Sequence, residues 1–156
     1  MKVIIFSGTQ PRHLFFHKAI VDLGVDYFSV IMKRENLLPT TPKNLLGQDA
    51  KNFDKHFKDR QEIELRTFGN LKVSDVFHSN KTINVDPQNL NSDLVRKKIL
   101  EFKPDIAVLF GVSLIKEPVF SILPDYKINL HLGLSPWYRG SATLFWPFYL
   151  THRSHL

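Results

Sequence analysis

Two short, unbroken apolar runs, each stopped by a glycine, constrain this chain more than any other feature. They are KVIIF over 2–6, which runs into Ser7-Gly8-Thr9, and DIAVLF over 105–110, which stops at Gly111. A run of β-branched and aromatic residues without polar alternation has no face to offer water, so it belongs inside a parallel sheet covered on both sides. A glycine at its carboxyl end lets the backbone turn sharply out of the sheet. Parallel neighbours cannot be joined by a hairpin and need a crossover, usually a helix. The chain supplies one: Phe16, Ala19, Ile20 and Leu23 recur at i, i+3, i+4 and i+7, Gly24 is a stop signal, and YFSVIM over 27–32 reads as the next strand. The result is a strand, helix, strand unit of right-handed crossover length.

The remaining segments continue the alternation. From 40 to 69 the chain is rich in charge, with Phe53 and Phe57 at helical spacing, and predicts one or two surface helices. The pattern predicts a short strand over 73–77, a polar loop over 79–91, and a helix capped at Ser92 or Asp93 that turns Val95, Ile99 and Phe102 inward. That helix should end before Lys103-Pro104, because the residue preceding proline is pushed out of the helical region. A short helix is predicted over 114–123, interrupted early by Pro118, and KINLHL over 127–132 is the last predicted strand. The expected fold class is α/β: a Rossmann-like open, mainly parallel sheet with helices on both faces, in one domain over 1–150 with a tail over 151–156.

Composition excludes several functions. At 43% hydrophobic content, 156 residues suffice for one well-buried core. The sequence has no apolar run of about eighteen residues, and its first apolar stretch is too short for a signal peptide, so a cytoplasmic protein without a membrane partner is expected. With no cysteine there is neither a disulfide nor a thiolate nucleophile or zinc ligand. The net charge of +6 suits anionic small ligands. Its cations are spread along the chain, and the densest cluster, Arg96-Lys97-Lys98, reads as a solvated helix face, so nucleic acid is not an expected partner. His13 and His17 are spaced to share a metal on the first helix, but no third ligand stands near, and no metal is expected. His152 and His155 are assigned to an unstructured end.

In open parallel sheets ligands bind outside the carboxyl ends of the strands, which makes the segments after Phe6, Phe110 and His131 the candidate site. Asn129 and His131 are two apart on the last predicted strand and so share a face. A carboxamide N–H can donate to a developing oxyanion, and an imidazole can move a proton near neutral pH, a pairing suited to acyl transfer. An isolated Asn-x-His is more often a turn residue beside a core histidine. Here it is followed by LGLSPWYRGSATLFWP, which is more specialised than a strand-to-helix connection requires.

The segment INLHLGLSPWYRGSATLFWP resembles the signature of the formyltransferase family, which includes glycinamide ribonucleotide, methionyl-tRNA and sugar N-formyltransferases. The family pattern is Asn-x-His, then Ser or Gly, then Leu-x-Pro-x-x-Arg-Gly. Asn129, His131, Gly133, Leu134, Pro136, Arg139 and Gly140 stand at the matching positions, and Gly111 matches the folate-side loop. The resemblance implies an amine attacking the formyl carbon of 10-formyltetrahydrofolate, the co-substrate, with Asn129 and His131 holding the oxyanion of the tetrahedral intermediate. It further implies that Leu109, Phe110, Gly111, Val112, Ser113 and Leu114 hold the pterin, and that Gly8 and Thr9 face the amine. Gly133, Pro136, Tyr138, Arg139 and Gly140 would form a structural loop in which Arg139 bonds backbone carbonyls.

The implied acceptor is a small, anionic amine, foremost a nucleotide-linked amino sugar. Methionyl-tRNA formylation goes with an added β-barrel, and hydrolysis of formyltetrahydrofolate with a regulatory domain, and this sequence shows a counterpart to neither. The family's third catalytic residue, an aspartate beyond the histidine, is also unmatched, for none of the 25 residues after His131 is acidic. A fragment of a longer enzyme, a shortened reading frame or a partner that completes the site is therefore expected, with a catalytically impaired remnant that binds a ligand as the alternative. Missing terminal strands would expose a sheet edge and favour a homodimer.

Overall fold

The structure is a computed structural model and describes residues 1–33, 38, 40–69, 71–131 and 133. Its strands are β1 (Lys2–Ser7), β2 (Asp26–Met32), β3 (Thr82–Val85), β4 (Ile106–Phe110) and β5 (Tyr126–Asn129). Its helices are α1 (Pro11–Val21), α2 (Gly47–Phe68), α3 (Val73–Val76) and α4 (Asp93–Phe102). All strand pairings are parallel, in the order β3-β2-β1-β4-β5. The open, Rossmann-like α/β architecture expected from the apolar runs is present.

β1 shows why the run KVIIF must lie at the centre. Its side chains alternate between the two faces of the sheet, and both faces are covered. Ile4 and Phe6 join Val30, Met32 and Ala107 in a core closed by Val95 and Ile99 of α4, while Val3 and Ile5 pack with Tyr27 beneath Phe16 and Ile20 of α1. Each fully buried side chain of this size contributes roughly 1.5–3 kcal/mol. The strand order places a reversal between β1 and β4: the chain winds outward through β2 and β3, then returns through α4 to the other side of β1. A crevice at such a reversal is where open α/β sheets bind ligands.

α4 ends as its sequence dictates. Lys103 takes the left-handed conformation (φ 54°) just before Pro104, and its N–H donates to the Ile99 carbonyl at 2.8 Å. Asp105 then fixes the start of β4 against the start of β1: its carboxylate accepts from the Lys2 N–H at 2.7 Å, and its own N–H donates to the Lys2 carbonyl at 2.9 Å.

Several expectations are corrected. The segment 73–77 contains the short helix α3, and the segment 79–91, expected to be loop, contains β3. Only Val85 of β3 is buried, so its sequence carries little apolar signal. Over 114–123 the chain forms a single 3-10 turn at Phe120–Ile122, since Pro118 and Pro124 leave no room for a regular helix. The last strand stops at Asn129, earlier than the 127–132 reading. α1 buries only part of the stripe its periodicity suggested: Phe16 and Ile20 pack on the core, Ala19 and Leu23 face solvent, and the fully buried positions are His13, Leu14 and His17.

The charged stretch within 40–69 forms one 22-residue helix, α2, with no buried residue. It meets α1 through the ion pair of Glu64 with Arg12 and through Phe68 against Phe15, with ring centroids 5.6 Å apart. Among the described residues, no helix is long and apolar enough to cross a membrane.

Candidate functional site

The carboxyl ends of β1, β4 and β5 lie side by side, and three of the expected site segments leave the sheet there. Ser7 is in register with Phe110, and Leu109 with Asn129, so the turn after β1, the turn after β4 and the end of β5 share one edge. The pairing extends one residue past β5, where the Leu130 N–H donates to the Leu109 carbonyl at 2.9 Å. Asn129 is thus the last residue of its strand, exposed at the edge and level with the expected folate-side segment.

His131 follows just beyond the strand and is half-buried. Its Nδ1 lies 3.0 Å from the Gly133 carbonyl oxygen and 3.2 Å from the Gly133 nitrogen. The carbonyl can accept from a protonated Nδ1, and the amide N–H can donate to a bare one. Which of the two contacts forms follows the tautomer of the ring. Gly133, counted with the structural loop from sequence, makes this contact through its backbone. Pro136, Tyr138, Arg139 and Gly140 lie outside the described residues, as do Leu134, the tail over 151–156 and its histidines.

The segment Leu109 to Leu114 leaves the sheet at Gly111, whose φ of 72° favours glycine. Leu109 and Val112 pack against the larger core, Phe110 is buried, and the Ser113 N–H points at the Met32 sulfur at 3.4 Å. Leu114 is 73% exposed. Asn91, which the sequence reading had placed in a loop without a role, holds this segment in place: its Nδ2 donates to the Leu114 carbonyl at 3.1 Å, and its Oδ1 accepts from the Lys116 N–H at 2.6 Å. A carboxamide that serves both ends of a turn replaces two backbone hydrogen bonds the turn cannot make for itself.

Gly8 and Thr9 make the turn from β1 into α1, which starts with Pro11 at its first position. The residue that fills the space between this turn and Gly111 is His13, only 4% exposed. A methyl group on Gly8 would lie 2.4 Å from its Nδ1, and one on Gly111 would lie 2.1 Å from its Nε2. Phe110 stands edge-on to its ring, with centroids 4.8 Å apart and planes at 86°. Sequence reasoning weighed His13 only as half of a metal pair. The two histidines of that pair serve different surroundings: His17 is fully buried, its Nε2 is 2.6 Å from the Ser29 hydroxyl, and its ring meets those of Tyr27 and Phe77. Burial first, and the nearby His78 second, lower its pKa from 6.5 to about 4. No cluster of three or more metal-ligating side chains occurs among the described residues.

No family model matches this chain. A separate cavity of about 340 Å³ opens at the carboxyl ends of β2 and β3, lined by Lys33, Asn84, Asp86, Asn89 and Ser92 among others. None of the expected site residues lines it.

Proposed function

We propose that this chain is a formyltransferase-type catalytic domain that transfers a formyl group from 10-formyltetrahydrofolate to a small, anionic amine, foremost a nucleotide-linked amino sugar, in the cytoplasm. The observation that supports this reading best is the register of Leu109 with Asn129, together with the pairing of Leu130 to Leu109. It sets the segment read as pterin-binding beside the pair read as catalytic, at the edge where parallel sheets bind ligands.

In this reading the pterin lies along Leu109 to Leu114, and the amine enters from the side of Gly8 and Thr9. The amine nitrogen forms a bond to the formyl carbon and the carbonyl π electrons move to oxygen. The Asn129 amide N–H donates to that oxyanion, and His131, two residues on, stabilises the same charge by hydrogen bonding. As the intermediate collapses, the bond from carbon to the folate nitrogen breaks, the amine gives up a proton, and the departing nitrogen takes one. His131 is the group suited to carry it, since an imidazole nitrogen can both accept and donate a proton.

The test is single-turnover transfer from 10-formyltetrahydrofolate to a panel of nucleotide-linked amino sugars, followed by mass spectrometry. Formylated product from the intact chain, reduced at least about a hundredfold in Asn129→Ala, supports the reading. A folded chain that forms no product with any acceptor and binds no folate overturns it.

A further inference from the structure

The two loops assigned to opposite halves of the proposed site, the turn at Gly8 and the turn at Gly111, are more than 100 positions apart in sequence, yet both close on one side chain. His13 presents Nδ1 to Gly8 and Nε2 to Gly111, each at a distance where a single added carbon would collide with the ring. Phe110, the last residue of β4 and next to Gly111, fixes the plane of the ring by its edge-on contact, and Phe16, one turn along α1, packs on Phe110 with centroids 5.1 Å apart. The first turn of α1 supplies the rigid base: the His13 and Leu14 N–H groups donate to the Gln10 carbonyl at 2.8 and 3.1 Å.

We propose that His13 is a positioning residue, a brace that sets the separation of the Gly8 and Gly111 loops and so couples the amine-binding half of the site to the folate-binding half. The inference rests on the reading of the Gly111 loop as folate-binding. A carbon added at either glycine would meet the ring and press it toward the opposite loop, where an added carbon would meet it as well. Glycine is required at both positions for that reason, and at Gly111 also for its positive φ.

Gly8 is the cleaner probe. Its backbone is outside the left-handed region that disfavours other residues, and the three atoms nearest to an added Cβ all belong to His13, the third at 3.5 Å. Every other atom is therefore at ordinary contact distance or beyond, and the His13 ring is the one obstacle to alanine. Gly8→Ala, His13→Ala and the double variant form a cycle read in two ways. The first is the thermal midpoint. Gly8→Ala is expected to lower it by about 4–8 °C in the wild-type background, as overpacking of a domain of this size does, and by under about 2 °C in the His13→Ala background. The second is the Kd of a folate analogue with carbon in place of N10, which cannot transfer its formyl group. Gly8→Ala, although made in the opposite loop, is expected to weaken it about tenfold in the wild-type background and less than about twofold once His13 is alanine.

Additive effects on both readouts overturn the proposal. Coupling in the thermal midpoint without coupling in Kd also overturns it, since His13 then holds the fold and not the site. If the unaltered chain binds no folate analogue, the formyltransferase reading falls and the coupling of two half-sites falls with it; the thermal cycle then decides only whether His13 sets the separation of the Gly8 and Gly111 loops. Should Gly8→Ala fail to fold, recovery of folded protein in the His13→Ala background is the same coupling observed in coarser form.

Discussion

Acidification should unlock the fold at His17. This imidazole is fully buried and close to the Ser29 hydroxyl, and burial together with His78 lowers its pKa from 6.5 to about 4. Between those values the unfolded chain holds a proton there that the folded chain does not. Stability rises with pH wherever the unfolded state binds more protons, so this contribution is present in full above pH 6.5 and is lost as pH falls toward 4. A difference of this size corresponds to about 3 kcal/mol, a large part of the 5–15 kcal/mol that holds a typical domain together. The assay is urea unfolding at pH 7 and pH 4 for the wild type and for His17→Gln, which cannot titrate and can still reach Ser29. All other titrating groups cancel in the comparison. The wild type should lose about 3 kcal/mol more than the variant over this interval. Equal losses, or an NMR titration of the His17 ring centred near 6.5 in the folded protein, would refute the reasoning.

Three further outcomes follow from the packing and the loops. Phe6→Ala, which empties a fully buried position shared by β1 and the α4 core, should cost about 3–5 kcal/mol by denaturant unfolding with no change in slope. Asn91→Ala removes both hydrogen bonds that tie the segment after Gly111, and should speed amide exchange at Lys116 with little loss of global stability. Lys103→Gly relieves a left-handed residue at the end of α4 and should raise stability by about 0.5–1 kcal/mol, measured as a shift in thermal midpoint.

The parts of this fold legible from sequence are those where burial on two faces leaves no choice of residue. KVIIF and DIAVLF read as central strands because their neighbours above and below are α1 and α4, and the structure places them side by side as β1 and β4. β3 was illegible for the converse reason: an edge strand with one buried residue can afford Thr, Asn and Lys around it, and so looks like loop. VSDVF over 73–77 reads as a strand from its Val and Phe content, but its apolar residues fall at i, i+3 and i+4, the spacing of the helical turn that forms. α1 misled in another way. Its stripe was sought among aliphatic and aromatic residues, whereas the positions that face the sheet are partly histidine, so the true face was displaced from the apparent one.

The site divides along the same line. Gly8 and Gly111 were legible because a glycine that ends a buried run marks a sharp exit from the sheet, and both lie at the carboxyl edge. Asn129 was singled out by its motif, and what the structure adds is its register with Leu109. His13 and Asn91 were not. Each acts between segments far apart in sequence, and nothing local to either residue marks what it touches once the sheet has formed.

The central claim is that the edge formed by β1, β4 and β5 binds a formylated folate through the Gly111 loop. Calorimetric titration of the intact chain with a non-transferring 10-formyltetrahydrofolate analogue, beside Asn129→Ala and Gly111→Trp, tests it most directly. The account predicts saturable binding to the wild type, binding retained in Asn129→Ala, and binding abolished by Gly111→Trp, whose side chain would displace His13 and fill the crevice. A folded wild-type chain that takes up no analogue, or a Gly111→Trp variant that binds it as tightly as the wild type, would contradict the account.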